Sequence, residues 1–160
     1  AAAVATLDGN TDDLTGFVGS LFGEPTRTVF RALWAEHVEQ LMAYTAAVAA
    51  HDQGRRDAAQ AALRGLEQRA AAFLDMAAAS SPGSSELVQA LVVHDDMLLR
   101  QVDAFVAKDY RQSNDLSYRA YQDMFGLARQ LSDAFGAPVA ARLPASGAQT
   151  DPGGPAPGPR

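Results

Sequence analysis

Cysteine is absent from the 160 residues, which excludes disulfides, thiolate zinc sites, cysteine nucleophiles, iron–sulfur clusters and the thioether attachment of c-type haem. Lysine is nearly absent, with Lys108 standing beside 12 arginines. These cations are scattered among 19 carboxylates at a net charge of -6, so no basic stripe exists to neutralise phosphates and nucleic acid is not an expected partner. No apolar run approaches the ~20 residues that a membrane-spanning helix requires. Catalytic signatures are missing as well. There is no Gly-rich phosphate loop, nucleophile elbow or HExxH motif. The paired Glu-x-x-His of a di-iron bundle fails because Trp34 and Leu91 stand three residues before His37 and His94. The expectation is a non-catalytic protein.

What is present is a helical pattern: alanine is abundant, β-branched residues are few, and apolar positions recur at three and four. Phe30, Leu33, His37, Leu41, Tyr44 and Val48 form one stripe, and Leu63, Leu66, Ala70 and Phe73 a second. Leu87, Leu91, His94, Leu98, Val102 and Phe105 form a third, and Leu116, Ala120, Met124, Leu127, Leu131 and Phe135 a fourth. A shorter helix over residues 11–22, with Leu14, Phe17 and Leu21 on its stripe, precedes them.

Pro25 and Pro82 stand near helix starts, where a missing N–H is harmless. Asp52 and Asp109 are expected N-caps after very short turns, and such turns force antiparallel neighbours. A shift of 57 residues lays Pro25 on Pro82, His37 on His94, Leu41 on Leu98 and Asp52 on Asp109, which reads as a copied hairpin. The expected fold is all-α: an antiparallel up-down-up-down four-helix bundle from two hairpins, residues 25–80 and 82–136, after an additional helix within residues 1–24. Phe22-Gly23-Glu24-Pro25 and Phe135-Gly136-Ala137-Pro138 repeat one helix-stop phrase. The first helix is therefore expected to cap the bundle or to offer its apolar stripe to a protein partner or a second copy. Residues 138–160, rich in Pro and Gly, are expected to form a disordered tail.

The small apolar start, Ala1-Ala2-Ala3-Val4-Ala5, fits what remains after cleavage at an A-x-A-like site, so a secreted or cell-surface protein is expected. Leu33-Trp34-Ala35-Glu36-His37, Leu91-Val92-Val93-His94 and Ala120-Tyr121-Gln122-Asp123-Met124-Phe125 carry a further likeness. They resemble exported bacterial proteins built from repeated helical hairpins with one His early in each. The resemblance implies an extracytoplasmic bundle with no established activity. The family's last helix carries a His where this chain has Asp123.

His37 and His94 each lie 12 residues after a helix-starting proline, so they are expected at one level on parallel, diagonal helices. Counting back along the antiparallel helices brings Glu67 and Met124 to that level. Imidazole, carboxylate and thioether suit copper, and two His, or His with Met, are how a bundle core holds haem iron. The candidate ligands are therefore His37, His94, Glu67 and Met124 for a metal, with His37, His94 and Met124 for haem. Glu36, Asp95 and Asp96 are candidate acceptors that would orient the imidazoles. The rival reading is a surface or assembly module that works by protein contact and holds no cofactor.

Overall fold

A computed structural model describes residues 2–77 and 84–141. Pro82, the residues from 142 onward, and the side chains of Leu74, Leu131 and Pro138 lie outside the described residues. The chain is all-α, with helices α1 (Ala2–Phe22), α2 (Glu24–Ala49), α3 (Gln53–Ala77), α4 (Ser84–Val106) and α5 (Tyr110–Ala140).

Two boundaries differ from expectation. Helix α1 begins at Ala2 rather than at residue 11, because the alanines ahead of Gly9 and Asn10 are strong helix formers and each interruption costs only about 1 kcal/mol or less. Helix α5 runs through Gly136 and Pro138 to Ala140, so the second helix-stop phrase does not act as one. The first does: Gly23 adopts φ 88° and ψ 171°, a region open essentially to glycine alone, and Pro25 sits in the first turn of α2. Gly136 stays at negative φ, and without the left-handed step the helix continues.

The turns after α2 and α4 are built alike, 57 residues apart. His51 and Lys108 take positive φ, 55° and 63°. The amide of His51 bonds Val48 O at 3.1 Å and that of Asp52 bonds Ala47 O at 2.9 Å; Lys108 to Phe105 O (3.0 Å) and Asp109 to Ala104 O (2.9 Å) repeat them. This is the Schellman closure, which satisfies carbonyls left open at a helix end. Each turn then starts the next helix in the same way, Arg55 N–H donating to Asp52 Oδ1 and Gln112 N–H to Asp109 Oδ1, both at 3.0 Å. Both expected N-caps are therefore in place.

Side-chain contacts give the order of packing. Helix α1 folds back along α2, with Trp34 Nε1 donating to Thr11 Oγ1 (3.2 Å) and Arg31 paired with Asp12 (2.9 Å). At Gly19 the backbone approaches so closely that an added Cβ would stand 2.8 Å from Arg27 Cδ. Helix α2 meets α3 through Glu36–Arg69 and Tyr44–Arg56, and α4 through His37–Asp95 and Tyr44–Asp103. Arg64 of α3 reaches Asp96 of α4 at 2.8 Å. The apolar core falls into two clusters. One gathers Tyr44, Val48, Ala59, Leu63 and Leu99; the other gathers Phe73, Leu87 and Leu127, with Phe30, Leu33 and Leu91 against them. Phe105, expected on an inward stripe, is instead exposed and packs edge-on against Tyr110, while Ala104 takes the buried place.

Candidate functional site

Between the two apolar clusters the inward positions include polar side chains: His37 on α2, Glu67 beside buried Leu66 on α3, and His94 and Asp95 on α4, with Asp123 of α5 next to His94. Buried polar groups persist where they find partners, and this layer is only partly partnered. His37 Nε2 lies 2.8 Å from Asp95 Oδ1, with Asp95 buried. An ionised carboxylate only accepts, so a ring proton sits on Nε2, and in the neutral ring Nδ1 is then the nitrogen with the lone pair. That Nδ1 is buried without a hydrogen-bond partner, as are His94 Nδ1 and Asp123 Oδ2. The last two stand 3.8 Å apart, beyond hydrogen-bond range.

Burial pushes the His94 pKa below the usual histidine value, against the opposing pull of Asp95 and Asp123. His37 is close enough to depress it further, so the two imidazoles do share one neighbourhood. Burial raises the Glu67 pKa, opposed by Arg64, which donates to it at 3.2 Å, and aided by Asp95 and Asp96.

Of the sequence candidates, His37, His94 and Glu67 lie in this layer. Met124 does not: it is 43 % exposed. The inward lattice of α5 runs Leu116, Ala120, Asp123, Leu127, at steps of four, three and four, which turns Met124 outward and brings Asp123 to His94. The orienting role expected of Asp95 is realised at His37. Glu36 and Asp96 instead pair with Arg69 and Arg64. Among the described residues no three His, Asp or Glu side chains are already gathered as metal ligands.

Two features were not expected from the sequence. Near the α2–α3 turn, Arg56 Nε donates to Tyr44 Oη (3.0 Å), Tyr44 donates to Asp103 Oδ1 (3.0 Å), and Arg56 Nη2 donates to Asp103 Oδ2 (2.5 Å). Burial, then Asp103, raises the Tyr44 pKa. The 57-residue comparison gave no sign of this triad, since it places Gln101, Ser113 and Ala46 opposite its members.

The second feature is on α5. Tyr118, Tyr121 and Phe125 are 65 %, 62 % and 57 % exposed. Tyr118 is two residues from both Leu116 and Ala120, about 200° round the helix from the core side. Tyr121 packs edge-on against Phe125 at 5.3 Å. Their spacing of three and four was the available signal: α5 is apolar on two faces, and only one is covered. Helix α1, expected either to cap the bundle or to face a partner, packs Thr15 inward and meets α5 through Phe22–Phe135, at 5.0 Å, while Phe17 remains exposed. No helix among the described residues is long and apolar enough to cross a membrane.

No known protein family, curated protein or solved structure matches the chain.

Proposed function

We propose that this is a non-catalytic, extracytoplasmic binding protein. It is an antiparallel four-helix bundle of two copied hairpins with α1 as an added cap, and it acts through protein contact at the outer face of α5. The observation that carries the reading is the row of three aromatic rings, each more than half exposed, on the side of α5 away from the core. Exposed aromatic clusters are what interfaces bury, because each ring contributes a large apolar area at little entropic loss. The matched turns support the duplication; the likeness carried by the segments around His37, His94 and Asp123 supports export. A photo-crosslinking side chain placed at Tyr121 in the native host is expected to give a discrete adduct, and one placed at exposed Thr45 none. Absence of an adduct at both positions would reject the reading.

A second reading, binding of a transition metal such as copper, is favoured by three buried atoms without partners, His37 Nδ1, His94 Nδ1 and Asp123 Oδ2. Asp95 on His37 Nε2 is the carboxylate–imidazole arrangement that fixes a ligating ring and sharpens its basicity. The ligand set becomes two nitrogens and one carboxylate, with Met124 outside it and Glu67 engaged by Arg64. The same bond disfavours haem, since the outer ring nitrogen through which imidazole reaches a porphyrin iron is already engaged on His37. Calorimetric titration with copper(II) should show one site that is lost in His37→Ala and in His94→Gln. Equal binding by both variants would remove this reading.

A further inference from the structure

We propose that the outer face of α5 binds a second copy of this chain, as a two-fold antiparallel helix pair centred near Gln122. This rests on the contact reading above and names its partner.

The argument comes from the charges that flank the aromatic row. Arg111, Asp115, Arg129 and Asp133 are all exposed. Eighteen residues make five full turns of helix, so Arg129 stands directly above Arg111 and Asp133 above Asp115, all along one flank. Among the described residues none of the four makes an ion pair; Arg100 and Arg119 are likewise unpaired, whereas Arg27, Arg31, Arg55, Arg56, Arg64 and Arg69 are paired. A two-fold axis perpendicular to two antiparallel helices keeps each flank on its own side of the contact, so the flank meets its own copy. Centred at residue 122, Arg111 faces the partner's Asp133 and Asp115 faces the partner's Arg129, and symmetry doubles both pairs.

The same pattern penalises the neighbouring registers. A slip of one turn in one direction sets Arg111 against the partner's Arg129; a slip in the other sets Asp115 against the partner's Asp133. Like charges placed opposite one another in the wrong register are how paired helices define the right one. In the favoured register Tyr118 meets the partner's Phe125, and the two Tyr121 rings lie beside the axis, so the aromatic overlap and the charge pairing select the same alignment. A helix pair of this length, roughly 33 Å, buries close to the lower limit for stable association, about 1,200 Å² in total. The pair should therefore dissociate at roughly micromolar concentration.

Sedimentation equilibrium of the full chain at low salt tests this. Arg111→Asp and Asp133→Arg should each weaken dimerisation by about tenfold, while the double charge swap should return to within about threefold of the parent. Each change sets like charges four residues apart within α5, a cost of only a few tenths of a kcal/mol, so circular dichroism of both variants should match the parent. Tyr121→Ser should lower the affinity further, and raised salt should weaken the parent dimer. A parent chain that stays monomeric at about 100 µM, or a double swap no better than the single changes, would overturn the proposal. If the parent is monomeric while the adduct at Tyr121 contains a different protein, contact through α5 stands and the second copy falls; if neither an adduct nor a dimer forms, both fall.

Discussion

Replacing His37 by alanine removes the hydrogen bond that Asp95 accepts in the interior, Nε2 to Oδ1 at 2.8 Å. The Asp95 side chain is 6 % exposed, so water compensates little. A hydrogen bond to a charged group contributes about 1.5–3 kcal/mol, and a buried acceptor left without its donor costs about 1–3 kcal/mol, more when it is charged. Loss of ring packing adds to this, while relaxation around the alanine lets some water reach the carboxylate. About 3 kcal/mol is the expected loss, or roughly 9 °C in Tm at about 3 °C per kcal/mol for a chain of this size. Urea denaturation at neutral pH measures it. The sharper form is a double-mutant cycle with Asp95→Ala, in which the orphaned-carboxylate penalty disappears from the double variant. The expected coupling is about 2 kcal/mol. A coupling below about 0.5 kcal/mol, the limit of ordinary additivity, would refute the claim that these two side chains hold each other in the layer.

Three further outcomes follow from the backbone and the electrostatics. His51→Gly and Lys108→Gly should each raise stability by about 0.5–1 kcal/mol in thermal unfolding, because the left-handed strain of a side chain at positive φ exceeds the extra unfolded-state entropy of glycine. Gly23→Ala should lower it by about 1–3 kcal/mol, since φ 88° with ψ 171° is a region that a Cβ opposes. His94 has its folded pKa below the unfolded value, so the unfolded chain binds its proton first as pH falls; stability contributed by His94 is complete above about pH 6.5 and declines below it. Glu67 has a raised folded pKa and acts with the opposite sign, its contribution being greatest below about pH 4.5 and lost as pH rises through the folded value. The urea midpoint of His94→Gln should therefore fall less than that of the parent between about pH 6.5 and pH 5.

Much of this was legible in the sequence because local rules determine it. Asp52 and Asp109 cap their helices because a short acceptor after a turn satisfies free amides whatever lies elsewhere in the fold. His37, Glu67 and His94 could be assigned to one layer because helical periodicity and hairpin length fix depth. Met124 was misassigned because hydrophobicity ranks it above Asp123, yet the four-three-four lattice of Leu116, Ala120 and Leu127 admits position 123. The Tyr44–Arg56–Asp103 triad was not legible, since it joins three helices across up to 59 residues and no local pattern pairs them. Helix α5 continued past Gly136 because a Gly-x-Pro phrase permits a stop without enforcing one; only a left-handed φ at the glycine, as at Gly23, makes it act.

Because the chain has no native cysteine, one introduced thiol reports on one contact. A short bis-maleimide should rapidly join two copies of Gln122→Cys, which the account places beside the two-fold axis. Ser132→Cys should remain uncrosslinked: it is exposed on the same helix, but two copies of it would lie roughly 30 Å apart in that register. Equal crosslinking of the two variants, or none by Gln122→Cys at concentrations where the chain is associated, would contradict the pairing of α5 with its own copy.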